Sequence, residues 1–521
     1  MSRKMIWSDQ QIAIFDWFKT AEKRNLVVRA RAGTGKSTSI IEGIRHAPED
    51  QVLVTSFSKL SVTDLENKIR DTGSRGQAKT LHGVGFACIR RYWDRVSVAR
   101  PVSDRADQLT EQVVGQVPIT IKRLVSKLHT KGREMAPFAR ELGDLTALAY
   151  EFDCAPDEEW AEDGYGLDFV ESAALRAMEL AATQQTTAID FADMLYLPVR
   201  NRWMRKEWDL VVVDEAQDMS ATQLLLALGV ARGRIVLVGD DRQAIYGFRG
   251  ADSGSLDRLK GELQADELGL NCTYRCGTAI VDLARALVPD YIAHESNGTG
   301  LVRSAPASTL VNSVEMGDFL LSRKNAPLVT AALKILRAGK RCKIQGRDIG
   351  QGLIALVRNL AKGKARDSMP AFLAKLTTWE EREIRRAWKG SRSDAIAASR
   401  EEQIKERAET LVALADGMSS VRELIARIED LFSDDDRQPH VTASSIHRAK
   451  GLEADRVFVL RDTLYPRMPC QCGHWHNGKG CNRCSCATYR VPDSRMQEEE
   501  NLEYVAITRA RHELVWLNGD L

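Results

Sequence analysis

The 521-residue sequence predicts an α/β protein made of two parallel-sheet cores, each interrupted by a helical insertion, with a small Cys/His insert in the second. Three observations predict it. Short β-branched runs each end in a polar loop, two long stretches carry helical periodicity instead, and the length suits about three or four domains. The first run, Leu26-Val-Val, leads into Arg29-Ala-Arg-Ala-Gly-Thr-Gly-Lys-Ser-Thr38. Residues 86–188 then have helical spacing, charged faces and few β-branched runs, which predicts the first insertion. Leu210-Val-Val-Val213 leads into Asp214-Glu-Ala-Gln-Asp218, and Arg234-Ile-Val-Leu-Val238 ends in Gly239-Asp-Asp-Arg-Gln243. Strands that end in polar loops and alternate with helices form parallel sheets whose ligands bind at the carboxyl ends of the strands. The sheet pattern resumes near Leu268, and Pro327 to Gly339 reads as a helix. Residues 356–435, with Trp379 and Trp388, form the second helical insertion, and a last α/β segment runs from Val441. No short-period repeat or low-complexity tail interrupts this plan.

Composition narrows the class. Lys and Arg total 74 against 72 Asp and Glu, a formal balance of +2, with 44% hydrophobic and 28% charged residues. That mixture excludes a mostly disordered chain, a fibrous protein and a polytopic membrane protein. No run approaches the ~18 apolar residues that span a bilayer, and the first ten residues lack a secretory signal. The expectation is a cytoplasmic protein with no membrane partner, in a reducing compartment where cysteines serve as thiols or metal ligands. Charge is uneven: residues 121–140 carry a net +5, residues 358–400 a net +6, and residues 151–164 hold seven acidic groups and no basic one. Such runs are ordinarily solvated faces, and they bear on phosphate binding only if other residues supply the reason.

Those residues exist. Ala30-Arg-Ala-Gly-Thr-Gly35-Lys36-Ser37 fits a phosphate loop, with Ala30 in place of the usual first glycine. Its glycines let backbone N–H groups turn onto phosphate oxygens, Lys36 can reach the β- and γ-phosphates, and the Ser37 hydroxyl can ligate Mg²⁺. The following helix adds its positive dipole end. Ala32, Gly33, Thr34, Gly35 and Thr38 complete the expected nucleotide contacts. Asp214 and Glu215 follow a buried strand, where Asp214 can hold Mg²⁺ and Glu215 can orient and deprotonate water. Together these residues predict ATP hydrolysis driven by positioning and charge neutralisation.

Read in order along nearly the whole chain, the motifs resemble the UvrD/Rep family of superfamily 1 DNA helicases. Trp7-Ser-Asp-Gln-Gln11 resembles an adenine-reading glutamine motif, with Gln11 better placed than Gln10. Val54-Thr-Ser-Phe-Ser-Lys59 and Thr80-Leu-His-Gly83 resemble two early DNA-contact motifs, and Ile189-Asp-Phe-Ala-Asp-Met194 a further signature. The series continues through Gly239-Asp-Asp-Arg-Gln-Ala-Ile-Tyr-Gly-Phe-Arg-Gly250, Asn271-Cys-Thr-Tyr-Arg275 and Ser322-Arg-Lys-Asn-Ala326. Thr442-Ala-Ser-Ser-Ile-His-Arg-Ala-Lys-Gly-Leu-Glu453 and Glu503-Tyr-Val-Ala-Ile-Thr-Arg-Ala510 complete it.

The resemblance implies two RecA-like motor domains, residues 1–85 with 189–267 and residues 268–355 with 436–521, and a reduced accessory insertion at 356–435. It implies that Gln243 senses the γ-phosphate and that Arg275 and Arg509 reach it from the second core. It also implies that Tyr274 stacks on adenine, that Glu453 bonds the ribose, and that Phe57, His82, Tyr246, Phe248, Arg249 and His447 contact DNA. Base stacking on such aromatics contributes about 1–3 kcal/mol per base. Three positions depart from the family pattern. Phe248 stands where many relatives have Trp, Thr38 where relatives often carry an adenine-facing Arg, and the second insertion is much smaller than usual.

Cys470-Gln-Cys472-Gly-His474-Trp-His476 followed by Cys481-Asn-Arg-Cys484-Ser-Cys486 has the layout of a zinc knuckle. The expected Zn²⁺ ligands are Cys470, Cys472, Cys481 and Cys484, with Cys486, His474 and His476 as alternates, in an insert spanning 470–486. An iron–sulfur cluster is the second option. Cys88, Cys154, Cys272, Cys276 and Cys342 are scattered and read as packing residues.

The resulting expectation is an enzyme that takes ATP and Mg²⁺, translocates 3′ to 5′ on single-stranded DNA and unwinds tailed duplexes in repair, recombination or replication. The alternatives are a DNA-stimulated translocase without strand separation, or a nucleotide-gated subunit whose protein partner is a nuclease, as in anti-phage defence.

Overall fold

The computed structural model describes residues 6–521 apart from 21, 23, 57–58, 94–95, 99–103, 153, 157, 246–254, 363–367, 390–393, 433–438, 466–467, 470–474, 477–492 and 520. The chain divides into two compact units, one ending at Asn271 and the other beginning at Cys272.

The first unit contains β1 (Leu26–Ala30), β2 (Val52–Ser56), β3 (Gln77–Thr80), β4 (Ser97–Val98), β5 (Ala188–Ile189), β6 (Trp208–Val213), β7 (Ala231–Gly239) and β8 (Asp266–Leu270). Six of them form a parallel sheet in the order β3-β2-β6-β7-β1-β8. Successive side chains on a strand face opposite ways, so the continuous apolar runs serve two cores at once. Leu26, Val28, Val54, Val212 and Val236 pack with Phe15, Phe18, Ile40 and Ile44 of the helices Asp9–Lys19 and Lys36–His46. Val27, Leu53, Val211, Val213 and Leu237 pack on the other side with Leu81, Val84, Leu195 and Leu226.

The sequence pattern near Leu268 marks a strand correctly but not its sheet. β8 pairs with β1 as the edge of the first sheet, because Leu270 is buried beside Leu26 and Val28 in that sheet's core. An apolar run specifies a strand; its partner is set by which core has room for it.

Helices Asp104–Val114, Ile119–Met135 and Leu167–Thr183 build a separate apolar core around Leu109, Val125, Leu128, Val170 and Met178. β4 and β5 pair in parallel at its border. The helix Phe191–Arg200 joins this core to the sheet, contributing Met194, Tyr196 and Leu197 to one and Leu195 and Val199 to the other.

The second unit contains β9 (Cys272–Thr273), β10 (Ile292–Ala293), β11 (Leu301–Pro306), β12 (Phe319–Ser322), β13 (Cys342–Ile344), β14 (Val441–Ser445), β15 (Ala454–Leu460), β16 (Met468–Pro469), β17 (Trp475–His476) and β18 (Ala510–Asn518). Its main sheet is also parallel, in the order β11-β18-β15-β12-β14-β13. β16 and β17 pair antiparallel around the start of the cysteine-rich segment. Helices Arg347–Leu360, Met369–Lys389, Asp394–Ala415 and Val421–Leu431 share one apolar core with this sheet: Leu353, Phe372, Leu411 and Ile428 meet Leu320, Ala443 and Phe458. No helix among the described residues is long and apolar enough to cross a membrane.

Candidate nucleotide-binding site

Strand order assembles this site. β6, β7 and β1 are consecutive in the first sheet, so the loops after Val213, Gly239 and Ala30 emerge side by side from one edge. After Ala30 the chain turns through Gly33 (φ 69°) and Gly35 (φ 77°), left-handed conformations that a Cβ disfavours. The helix Lys36–His46 begins at once, aiming free N–H groups and its positive end into the loop. Thr34 is buried and its hydroxyl donates to the Arg31 carbonyl at 2.9 Å, closing the loop on itself.

Four side chains meet at this edge. Lys36 Nζ lies 2.7 Å from Glu215 Oε1, and the Ser37 hydroxyl donates to Asp214 Oδ2 at 3.3 Å. Burial alone would lower the Lys36 amine, but Glu215, Asp214 and Asp240 outweigh it and hold Lys36 above its usual value. The same burial, reinforced by Glu215, pushes the Asp214 carboxyl up to about 6, against Lys36 and the Ser37 hydrogen bond. Glu215 has φ 55° and ψ 43°, a left-handed conformation rare for a side-chain-bearing residue. Such local strain is characteristic of functional sites. Gln217 Nε2 donates to the other Glu215 oxygen at 2.7 Å. On the next strand end, Gln243 is buried and its Nε2 donates to Asp240 Oδ2 at 2.7 Å.

The donor set fits a magnesium nucleotide. One hydroxyl and one carboxylate sit together, a lysine carries a positive charge, and a glycine turn opens backbone N–H groups. Gln11 lies against this loop: its Nε2 donates to Ser39 Oγ at 3.0 Å and would stand 3.7 Å from a Cβ at Gly35. Its Oε1 accepts from the Ser8 backbone, closing a capping box on the first helix. Gln10 instead accepts from the Asn271 backbone at 3.2 Å. Ala32 is buried, and Thr38 lies half-buried on the first turn of the helix.

Within the second unit, Arg275, Glu453 and Arg509 come together. Arg275 and Arg511 both ion-pair with Glu453. Arg509 is 1% exposed, and its guanidinium donates to the carbonyls of Val505 and Leu452 at 3.0 Å each. Burial and the neighbouring Arg275 lower it to about 10, still a full cation at neutral pH. Tyr274 is 38% exposed, with the His294 ring 4.6 Å away at 36°. Glu453 thus bonds Arg275 and Arg511 here.

Of the expected DNA contacts, His82 and His447 are described, whereas Phe57, Tyr246, Phe248 and Arg249 lie outside the described residues. His82 sits edge-on to Phe191 at 5.6 Å, and burial lowers its imidazole against Glu134. Burial, Arg323 and Lys450 push His447 down to about 3, so it is neutral at physiological pH. Half of the six basic residues in the run at 121–140 are matched by acidic partners: Lys122 pairs with Glu111, Lys131 with Glu134, and buried Arg133 with Asp190 and Asp193. Cys470, Cys472, His474, Cys481, Cys484 and Cys486 lie outside the described residues, as does the side chain of His476. Among the described residues no group of three His, Cys, Asp or Glu side chains is arranged to hold a metal ion. Cys88, Cys154, Cys276 and Cys342 are buried free thiols.

Sequence reasoning passed over three residues. Gln217 and Arg31 sit inside quoted motifs, yet their partners become evident only once β1, β6 and β7 are adjacent. Phe191, 48% exposed beside His82, is a large aromatic at a helix start, and its exposure is the signal that singles it out.

A phosphate loop after β1 and an acidic pair after β6, at the same edge of a parallel sheet, place the chain in the phosphate-loop NTPase class. The pattern of the UvrD/REP helicase N-terminal domain matches residues 15–264, and that of the UvrD-like helicase C-terminal domain matches residues 254–517. The chain belongs to the UvrD/Rep family of DNA helicases. It is 22% identical over 536 residues to the F-box DNA helicase protein 1 of Schizosaccharomyces pombe, covering 94% of this chain and 55% of that protein. The ATP-dependent DNA helicase UvrD2 of Mycobacterium tuberculosis is 25% identical, with 94% of this chain and 76% of that protein covered. Escherichia coli Rep, an ATP-dependent DNA helicase, is 26% identical over 292 residues, half of this chain and 41% of that protein. The chain therefore spans little more than half of the fission-yeast relative.

Proposed function

We propose that this protein hydrolyses ATP with Mg²⁺ and uses the energy to move 3′ to 5′ along single-stranded DNA, separating a duplex ahead of it. The observation that carries the reading is the pairing of Lys36 with Glu215 and of Ser37 with Asp214 at the ends of β1 and β6, the strands that flank β7. Membership of a DNA-helicase family supplies the polynucleotide.

The chemistry follows from the contacts. Lys36 carries a positive charge into the site and exchanges Glu215 for the β- and γ-phosphates when ATP enters. That exchange frees Glu215 Oε1, while Gln217 keeps the carboxylate aimed through its other oxygen. Glu215 then accepts a proton as water attacks the terminal phosphorus and the bond to the ADP oxygen breaks. Ser37 and Asp214 would hold Mg²⁺, which would supply charge neutralisation for the phosphates. Gln243 contacts the terminal phosphate, and the family resemblance gives Arg275 and Arg509 a charge-stabilising role in hydrolysis. His82, with Phe191 edge-on beside it, would offer a surface for base stacking, the role the resemblance also gives Phe57, Tyr246 and Phe248.

Strand displacement on duplexes with a single 3′ or 5′ tail tests the motor. Displacement from the 3′-tailed substrate alone is expected, and displacement only from the 5′ tail contradicts the direction. ATP turnover without displacement from either tail favours the translocase reading. For the cysteine cluster we assign Zn²⁺ to Cys470, Cys472, Cys481 and Cys484 on spacing alone. Elemental analysis of protein purified without added metal should find one zinc per chain; neither zinc nor iron sinks the assignment.

A further inference from the structure

Arg31 lies within the phosphate loop, yet its side chain is 9% exposed and turned to the neighbouring strand end. Nη1 stands 3.1 Å from Asp240 Oδ1 and 2.6 Å from Asp241 Oδ1. Arg29, two residues earlier, holds the other Asp241 oxygen at 3.2 Å, so two arginines flanking Ala30 pin the loop after β7. Asp240 is the hub of this loop. Its side chain is fully buried, Oδ2 accepts from Gln243 Nε2 at 2.7 Å, and its backbone N–H donates to Gln217 Oε1 at 3.1 Å. Gln217 in turn donates to Glu215 at 2.7 Å. A continuous set of hydrogen bonds thus runs from the phosphate loop through Asp240 to Gln243 on one side and to Glu215 on the other.

We propose that Arg31 is a positioning residue for hydrolysis: acting through Asp240, it fixes the direction of the Gln243 amide. The inference rests on the ATPase reading above. An amide nitrogen has two N–H groups, and anchoring one on Asp240 sets where the other points. The anchor holds its own place only while it stays charged. Burial pushes the Asp240 carboxyl up, and Arg31 leads the groups that oppose this, ahead of Lys36 and Gln243. Without Arg31 a buried carboxylate loses its main counter-charge, and Oδ1 keeps only the Arg242 backbone N–H at 3.2 Å. The Asp240 anchor of the Gln243 amide is then less firmly held, and reacting groups displaced by about 1 Å can cost on the order of 100-fold in rate.

The test compares full-length wild type, Arg31→Met, Gln243→Ala and the double variant in single-stranded-DNA-stimulated ATP turnover, with melting temperatures alongside. Arg31→Met should lower kcat at least about tenfold while KM for ATP shifts little, since the side chain acts on orientation. In the Gln243→Ala background the same substitution should change kcat by less than about twofold, because residues acting as a unit are not additive. Arg31→Lys keeps the charge but not the forked donors, and should fall between wild type and Arg31→Met. It replaces Arg31→Met in the comparison if that variant does not fold. Losses that multiply in the double variant, or a folded Arg31→Met with wild-type kcat, overturn the inference. A wild type that hydrolyses no ATP overturns instead the reading on which it rests.

Discussion

Arg133→Met is the sharpest test of how the first helical insertion is fastened. Arg133 is 0% exposed and donates to both Asp190 oxygens at 3.1 Å and to Asp193 Oδ1 at 2.7 Å. Arg105 reaches the remaining Asp193 oxygen at 3.3 Å. Two guanidinium groups therefore balance two carboxylates in a buried cluster, and the carboxylates belong to the Ile189–Met194 signature. Burial opposes the charge on Arg133, and Asp193 and Asp190 more than restore it. Removing one member of a buried ion pair leaves an uncompensated charge and costs about 3–5 kcal/mol. For a unit of this size that is a fall in melting temperature on the order of 10 °C. Adding Asp190→Asn should recover part of the loss, because asparagine rebalances the charge and still caps the helix Phe191–Arg200 through the Asp193 N–H. Thermal unfolding followed by tryptophan fluorescence reads the result, scored on the earliest transition because a two-unit chain need not melt in one step. A fall below about 2 °C, or no recovery in the double variant, refutes the charge-balance argument.

Two further outcomes are expected. A Cβ on Gly85 would stand 1.9 Å from the Met194 carbonyl oxygen, a backbone atom that cannot rotate aside, so Gly85→Ala should destabilise the first unit by about 1–3 kcal/mol or more; an unchanged denaturation midpoint contradicts that packing. His129 is pushed down to about 3 by burial and by Arg133, so its stabilising contribution is present above the ordinary value of 6.5 and is lost as pH falls from there toward 3. The slope reaches about 1.4 kcal/mol per pH unit, and His129→Gln should flatten it in denaturation measured between pH 7 and 5.

How much the sequence revealed depended on whether the signal was local. The phosphate loop was legible because a strand, a glycine turn and a helix start lie within a dozen residues. The acidic pair after β6 was legible for the same reason. The bond between Lys36 and Glu215 crosses 179 positions and follows only from the strand order β6-β7-β1. Arg31 and Gln217 went unassigned because each is defined by a partner on another strand. β8 showed as a strand, but its place beside β1 depends on where Leu270 finds apolar company. The charge run at 121–140 read as a solvated face, whereas buried Arg133 is matched by Asp190 and Asp193, and Lys122 and Lys131 by Glu111 and Glu134. A count of charges cannot distinguish a free cation from one already matched.

The central claim is that the first unit's strand-end loops form a polynucleotide-driven ATPase site. Steady-state ATP hydrolysis with and without single-stranded DNA, in wild type, Lys36→Ala and Glu215→Gln, tests it most directly. Strong stimulation by DNA is expected in wild type, with turnover about 10²–10⁴-fold lower in Glu215→Gln and absent in Lys36→Ala. DNA-stimulated hydrolysis at a rate near that of wild type in either variant contradicts the account.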